Sequence, residues 1–261
     1  MIRLIHLSDL HVRSKRSRPE NGNAIALADQ LVDRYGTDAR NRTFVILTGD
    51  LVDDAKPAQY AQLERGVLER LRGAFHVLAV PGNHDFARWG NHFDPKAPQR
   101  FRDRVRDLPA HPLPSVDVAA HPGERPVLFV GVDSADPGDV AFFADGVVDA
   151  RQRAELKAVL DDTQYAGHFK TIYVHHHPFL REWFVSFREA DAFLELIRSR
   201  VDLVLFGHKH VHEPFLGRYG IPTMLASGKV TQPVGDALAF RVIELEATGR
   251  PRICTVEVPA G

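Results

Sequence analysis

The chain has 261 residues, a net charge of −1 and 44% hydrophobic residues, as expected of a globular protein that buries a substantial core. The near-zero charge excludes a general electrostatic attraction to nucleic acid or anionic lipid, and the single cysteine, Cys254, excludes an internal disulfide framework. Because the sequence contains neither a signal-peptide pattern nor an apolar run of about eighteen residues, we expect no membrane span and a cytoplasmic location.

Short apolar runs alternate with amphipathic segments along the first third of the chain. The apolar runs predict buried strands, and apolar residues spaced three or four apart predict helices. A strand–helix–strand order predicts crossover units and a largely parallel sheet. The predicted elements are a strand at 2–9, a helix at 22–35, a strand at 43–50, a helix at 57–72 and a strand at 75–85.

Residues 86–126 are rich in proline, histidine and arginine, and only 99–108 has a helical pattern. We interpret this segment as a cap insertion within a single domain that spans 1–261. Trp89, in the cap, either stacks on a base or covers the core. Beyond the cap we predict strands at 127–134, 170–178 and 201–210, helices at 149–162 and 188–199, and an antiparallel second sheet after residue 210.

Polar side chains follow five of the apolar strands. An aspartate such as Asp50 at the end of a buried strand is costly unless its charge is paired, although a turn or helix-cap role would explain any one of them. Ligands of open α/β sheets bind at the carboxyl ends of the strands, so these side chains should meet. The strand-end sequences are Asp9-Leu10-His11, Gly49-Asp50, Gly82-Asn83-His84-Asp85, His175-His176-His177-Pro178 and Gly207-His208-Lys209-His210.

The donor types at these strand ends indicate a metal centre. Carboxylate, imidazole and amide oxygen without thiolate suit divalent Mn, Fe, Zn or Co. The donors exceed the four that one tetrahedral site takes, which predicts two divalent ions that share a bridging carboxylate. Two ions roughly 3.5–4 Å apart can clamp both oxygens of a phosphoryl displacement. The candidate metal ligands are Asp9, His11, Asp50, Asn83, His176, His208 and His210.

The order of these motifs resembles that of the calcineurin-like metallophosphoesterase family over roughly residues 2–215. The resemblance implies an α/β fold in which a two-sheet β-sandwich is flanked by helices, giving four αββα layers. It also implies that Asp50 bridges the two ions. By this resemblance, one ion is held by Asp9, His11, Asp50 and His210, and the other by Asp50, Asn83, His176 and His208.

The triple histidine leaves a choice of ligand. The family ligand stands two residues before the proline, which here is Pro178, and this spacing selects His176. His175 and His177 remain the alternatives. Because side chains alternate along a strand, both of them should point to the side opposite His176. The metal centre can therefore take ligands either from His176 or from the side of the strand that carries His175 and His177.

His84 follows a predicted ligand but is not itself assigned to a metal. The family uses this position as an acid or as a donor to a phosphate oxygen, so the resemblance implies that Asn83 and His84 contact the substrate. Asp53 and Asp85 are the candidates to orient His84, and Asp53 is therefore included among the predicted catalytic residues. The alternative for Asp53 is a role at the start of the following helix.

The resemblance implies a phosphoesterase that acts through a metal-activated hydroxide. It favours small phosphodiesters as substrates, of the cyclic-nucleotide or glycerophosphodiester type. The alternatives are an exonuclease-like phosphodiesterase, a phosphomonoesterase, and a catalytically inactive scaffold for partner proteins. The basic stretch 12–20 favours the nuclease alternative, which the net charge disfavours. Arg16 and Arg181 are candidate contacts to substrate phosphate, and the sequence leaves the oligomeric state open.

Overall fold

The computed structural model of the protein describes residues 1–15, 17–37, 42–90, 92–105, 114–135, 144–180, 182, 185–246 and 251–260. Arg16 and Arg181, the two predicted phosphate contacts, lie outside these residues. None of the helices in the described part of the chain has the length and apolar character that a bilayer crossing requires. The cytoplasmic location stays a prediction.

Strands and helices alternate in the described residues, and α2 continues through a π-helical turn at Glu64–Leu68 into α3. The strands are β1 (Ile2–Leu7), β2 (Thr43–Thr48), β3 (His76–Val80), β4 (Ala87–Arg88), β5 (His92–Phe93), β6 (Ser115–Ala119), β7 (Val127–Gly131), β8 (Gly146–Val147), β9 (Phe169–Tyr173), β10 (Phe187–Arg188), β11 (Leu203–Phe206), β12 (Glu213–Leu216), β13 (Thr223–Ala226), β14 (Ala237–Leu245) and β15 (Arg252–Pro259). The α-helices are α1 (Pro19–Tyr35), α2 (Pro57–Leu63), α3 (Glu69–Ala74), α4 (Asn83–Phe86), α5 (Ala97–Arg104), α6 (Ala150–Asp161) and α7 (Ala190–Ile197).

Two mixed sheets contain most of the strands. The first has the order β15-β14-β1-β2-β3, in which β1, β2 and β3 are parallel. The second has the order β12-β13-β11-β9-β7-β6, in which β7, β9, β11 and β13 are parallel. The prediction that the last strands form a sheet of their own is wrong. Instead β12 and β13 extend the second sheet, and β14 and β15 extend the first.

Alternation of buried side chains along the strands produces the four layers. In β1, Leu4 faces the core between the sheets, where it joins Phe129 and Leu205 of the second sheet. Ile5, the next residue along β1, faces the core beneath α1 to α3. The outer face of the second sheet packs on α6 and α7 through residues such as Phe193. The predicted sandwich with helices on both outer faces is confirmed.

The predicted cap at 86–126 has several parts. It contains a short hairpin of β4 and β5 and then helix α5, which begins and ends a few residues before the predicted 99–108. Its last part is β6, which pairs antiparallel with β7 at the edge of the second sheet. The Pro-, His- and Arg-rich composition hid this short edge strand. The single-domain organisation stays a prediction.

Candidate metal centre

Five parallel strands end at the same edge of the sandwich. β1, β2 and β3 reach it from the first sheet, and β9 and β11 reach it from the second. Main-chain hydrogen bonds tie the segments beyond the strands together. The amide of His11 donates to the carbonyl of Asp50 at 2.9 Å, and the amide of Gly207 donates to the carbonyl of His175 at 2.9 Å. The predicted strand-end residues are therefore neighbours.

Several strand-end residues have left-handed backbone conformations. This region is disfavoured for residues other than glycine because Cβ crowds the following carbonyl oxygen. Strained conformations of this kind cluster at functional sites, where the surrounding structure holds them. The residues and their φ angles are Asp9 (57°), His11 (46°), Asp50 (52°), His208 (74°) and His210 (57°).

The first donor cluster consists of Asp9, His11, Asp50 and His210, each of which offers one ligand atom within 4.8 Å of the others. His11 Nε2 lies 3.2 Å from His210 Nε2 and 3.7 Å from Asp50 Oδ2. His210 Nε2 lies 3.1 Å from Asp9 Oδ1, yet this buried oxygen has no hydrogen-bond partner. Converging donors with an unsatisfied buried carboxylate oxygen fit a cation.

The second donor cluster consists of His175, His176 and His208, each of which offers one ring nitrogen within 4.8 Å of the others. His175 Nε2 lies 3.1 Å from Asn83 Oδ1, 3.2 Å from His208 Nδ1 and 3.5 Å from Asp50 Oδ1. Asp50 therefore faces both clusters, since its other carboxylate oxygen lies toward His11. This is the arrangement expected of a bridging carboxylate, and the structure brings together the predicted ligands Asn83 and His208.

Main-chain carbonyls set the orientation of the two histidines. His175 Nδ1 lies 2.7 Å from the carbonyl oxygen of Thr48, and His208 Nε2 lies 3.1 Å from that of Val185. A carbonyl only accepts, so these nitrogens carry hydrogens, and the other ring nitrogens, His175 Nε2 and His208 Nδ1, face each other at 3.2 Å. A cation between them would accept a lone pair from each ring. The fit to a metal ion is good.

His176, the histidine predicted as a ligand, belongs to this cluster, but both of its ring nitrogens also have polar partners in the protein. Its Nδ1 lies 2.8 Å from Ser134 Oγ, and its Nε2 lies 3.2 Å from the carbonyl oxygen of Ala144. Strand alternation explains the difference. Tyr173 at the end of β9 faces the core between the sheets, and His175 stands two residues further on. The proline spacing that selected His176 does not follow this alternation.

We therefore expect His175→Ala and His176→Ala to differ in metal content. The first variant should lose about one ion per chain, because it removes a lone pair aimed into the second cluster. The second should keep its ions, although removal of a buried ring lowers the free energy of unfolding. Elemental analysis of both purified variants measures the difference, with thermal denaturation as the control for folding. The reverse pattern would restore His176 as the ligand.

The loops after β2 and β3 pack closely at the cluster. A Cβ atom at Gly82 would overlap Asp50 Oδ1, so glycine is required for this approach. The buried carboxylate of Asp85 accepts hydrogen bonds from the amides of Leu51 (3.1 Å), Val52 (3.1 Å) and Gly82 (2.9 Å). Asp85 thus fixes both loops that carry the ligands. Its role was not anticipated, because the sequence does not show where main-chain amides will point.

The contacts of His84 differ from the prediction. Its Nδ1 lies 2.7 Å from the main-chain oxygen of Asp53. The carboxylate of Asp53 lies within 4.8 Å of a ring nitrogen of His84 but closer to other groups, with Oδ1 3.6 Å from His11 Nδ1 and Oδ2 3.1 Å from Arg13 Nη1. Asp53 therefore orients His84 through its main-chain oxygen and faces His11 with its carboxylate.

The electrostatic environment shifts the pKa values of the site residues in different directions. Burial would raise the pKa of Asp50, but the surrounding histidines, first His175, hold that pKa well below its usual range. Burial and then the charge of His175 lower the pKa of His208 to about 3. His208 is thus neutral, the form that binds metal. Burial opposes protonation of His84, but the charge of Asp50 and the carbonyl of Asp53 raise its pKa.

A cavity of about 290 Å³ opens beside the two clusters. Its lining combines predicted site residues, charged side chains and a few apolar side chains, a mixture that suits a small ester with a charged and an apolar part. A second cavity, of about 370 Å³, lies at the amino ends of β2 and β3, away from the donors. The residues that line the first cavity are Asp50, Asn83, His84, Ala144, Leu180, Glu182, Val185, His208, Lys209 and His210.

Comparisons with known proteins agree with this geometry. The family model of calcineurin-like phosphoesterases matches residues 2–212. A probable cyclic nucleotide phosphodiesterase of Synechococcus sp. is 27% identical over 221 residues, which cover 80% of this chain and 74% of the relative. A dimetal phosphatase structure from Danio rerio has a TM-score of 0.69 at 14% identity, covering 100% of this chain and 99% of that one. GAP50, the anchor in the inner membrane complex of Plasmodium, has a TM-score of 0.62 at 14% identity, with coverages of 99% and 84%.

Proposed function

This chain belongs to the calcineurin-like phosphoesterase family, and we propose that it is a dinuclear metal-dependent phosphodiesterase of small phosphodiesters. The observation that carries this proposal is the pair of donor clusters that share Asp50. The similarity to a probable cyclic nucleotide phosphodiesterase supports a diester substrate. The mixed lining of the adjacent cavity suits a phosphoryl group joined to a small organic group.

We infer the metal ligands from the two clusters. The nitrogen and oxygen donors suit Mn, Fe, Zn or Co. When bound, two such ions supply positive charge to the phosphoryl oxygens and lower the pKa of water. His175 takes the place that the family resemblance gave to His176. The first ion would be held by Asp9, His11, Asp50 and His210, and the second by Asp50, Asn83, His175 and His208.

Asn83 and His84 have polar atoms left for the substrate. Asn83 Nδ2 donates to the carbonyl of Gly90 at 2.8 Å, which leaves its second amide hydrogen for a phosphoryl oxygen. Since His84 Nδ1 is bonded to a carbonyl, Nε2 is the nitrogen that would protonate the departing oxygen. No serine or cysteine of the described residues lines the cavity, which favours direct attack by water.

One cation of the basic stretch 12–20 is committed within the protein, since Arg13 lies 3.1 Å from Glu20 and 3.1 Å from Asp53. Lys15 and Arg18 are exposed. A polyanionic strand would need such exposed cations to contact neighbouring phosphates, so the choice between a small diester and a nucleic acid is made by the substrate panel below. A catalytically inactive scaffold would not need two complete donor clusters, so the presence of both clusters disfavours this alternative.

A substrate panel with added Mn²⁺ tests the proposed function. We expect bis(p-nitrophenyl) phosphate and cyclic AMP to be hydrolysed at least about tenfold faster than p-nitrophenyl phosphate or single-stranded DNA, a difference of about 1.4 kcal/mol in activation free energy. Asp50→Ala protein, prepared in parallel, is the control for contaminating phosphatases. Preference for the monoester or the oligonucleotide would select the corresponding alternative. Hydrolysis of none of the four would favour the scaffold.

A further inference from the structure

The hairpin of β4 and β5 carries an exposed tryptophan. The side chain of Trp89 is 71% exposed, so it does not cover the core. It meets the ring of His92 edge-on, with 5.8 Å between the ring centroids. A single exposed apolar residue is not by itself a binding site, so the case for Trp89 depends on the turn that carries it.

The turn that carries Trp89 is fixed on both sides. The amide of Trp89 donates to the buried carboxylate of Asp54 at 2.8 Å. The carbonyl of Gly90 accepts from Asn83 Nδ2 at 2.8 Å. The turn is thus bonded directly to a residue of the second donor cluster, and its position is set by the same side chain that would hold the metal.

The main chain of this turn also approaches His84. A Cβ atom at Gly90 would overlap His84 Nε2 and would lie 2.8 Å from Asn83 Nδ2. Consecutive Cα atoms are about 3.8 Å apart, so Trp89 begins one residue from this contact. Its indole can therefore reach a group esterified to a phosphate that is held beside Asn83 and His84.

Trp89 occupies this position against its local preference. Its φ of 52° lies in the left-handed region, as does the φ of 72° at Gly90. A glycine or asparagine adopts this conformation with little strain, whereas a bulky side chain is an outlier there. The indole is 71% exposed and contacts the ring of His92 edge-on, so little burial compensates for the strain. Strained residues of this kind are concentrated at ligand sites.

We propose that Trp89 is a specificity-determining residue that stacks on the nucleobase of the substrate. This inference rests on the proposed phosphodiesterase function and selects nucleotide-type diesters over glycerophosphodiesters. Stacking uses the face of a base and none of its hydrogen-bonding edges. Trp89 therefore distinguishes substrates with a flat aromatic group from those without one, and it does so with little preference among the bases.

Two substitutions of Trp89 test this inference. Trp89→Asn removes the indole but suits the left-handed backbone, and Trp89→Tyr keeps an aromatic ring. With cyclic AMP, kcat/KM should fall about 10- to 100-fold in Trp89→Asn, the range for one lost base stack, and much less in Trp89→Tyr. With glycerophosphoethanolamine, both variants should stay within about twofold of the unmodified protein. Leu216→Ala, which alters another exposed apolar side chain (67% exposed), is the matched control.

A binding measurement separates this inference from the proposed function. In a Trp183→Phe background, Trp89 is the only tryptophan of the chain. With Zn²⁺ bound, its fluorescence should be quenched by adenosine 5′-monophosphate and not by glycerol 3-phosphate. Absence of quenching, or equal kinetic losses for both substrates in Trp89→Asn, overturns the inference. If the unmodified protein hydrolyses neither diester, the phosphodiesterase proposal fails, and the quenching result still decides the role of Trp89.

Discussion

Replacement of Asp50 with alanine should remove both metal ions and lower kcat/KM for a simple diester by at least about 10³-fold. One carboxylate oxygen of Asp50 lies 3.5 Å from His175 Nε2, and the other lies 3.7 Å from His11 Nε2. Asp50→Ala therefore removes one ligand from each cluster, together with the negative charge that would lie between the two ions. Loss of a single preorganised charge contact costs about 10²–10³ in turnover, so loss of both ions costs more.

Elemental analysis and kinetics of matched variants make this test specific. Asp50→Asn keeps an oxygen that can accept from the amide of His84, as Oδ1 does at 2.9 Å, but removes the charge. It should retain the fold and still lose metal. Asn83→Ala should weaken mainly one ion, because Asn83 contacts only the second cluster. The exposed Asp29 provides a surface control, Asp29→Ala. Two tightly bound ions in Asp50→Ala would refute the bridging role.

His84→Ala should keep the metal ions yet lower kcat by about 10²–10⁴-fold, the usual contribution of a positioned acid–base group. His84 is not among the proposed ligands of either ion, and its Nδ1 is hydrogen-bonded to the main-chain carbonyl of Asp53. The loss should be smaller for p-nitrophenyl diesters, whose leaving oxygen needs little protonation, than for cyclic AMP. The measurement is kcat for both substrates, with metal content as the control.

Other outcomes for His84→Ala have distinct meanings. Equal losses for good and poor leaving groups would assign His84 to the nonbridging phosphoryl oxygens. Loss of one ion would show that His84 supports the ligands. That second outcome has a structural route, because the ring of His84 packs edge-on against the ring of His11, with 4.6 Å between the ring centroids. Loss of this ion from His84→Ala would therefore contradict the assigned acid role.

Much of the fold was predictable because buried parallel strands leave a clear pattern. Continuous apolar runs such as that of β2 indicate strands buried on both faces. Polar residues directly after such runs must then lie at a sheet edge, which brings Asp9, Asp50 and Asn83 together. Short edge strands leave a weaker pattern. β6 and the last four strands could not be assigned to a sheet, since pairing partners far apart in sequence are not encoded locally.

The details of the site depended on geometry that the sequence does not show. The choice between His175 and His176 turns on which face of β9 meets the other sheet, and Tyr173 reveals this only once its burial is known. Asn83 Oδ1 contacts His175, whereas the proline spacing selected His176, which belongs to the same histidine cluster. Asp53 was placed near His84 correctly, but through its carbonyl, while its carboxylate supports His11. The identity of a residue does not show whether its main chain or its side chain will make a contact.

The left-handed conformations at the strand ends have a consequence for stability. Each costs on the order of 1–2 kcal/mol relative to glycine, so the five together are comparable with the net stability of a domain, about 5–15 kcal/mol. Under the proposed function, ions that bind only the folded chain would offset this cost, so the metal-free protein should unfold at a lower temperature than the metal-loaded protein.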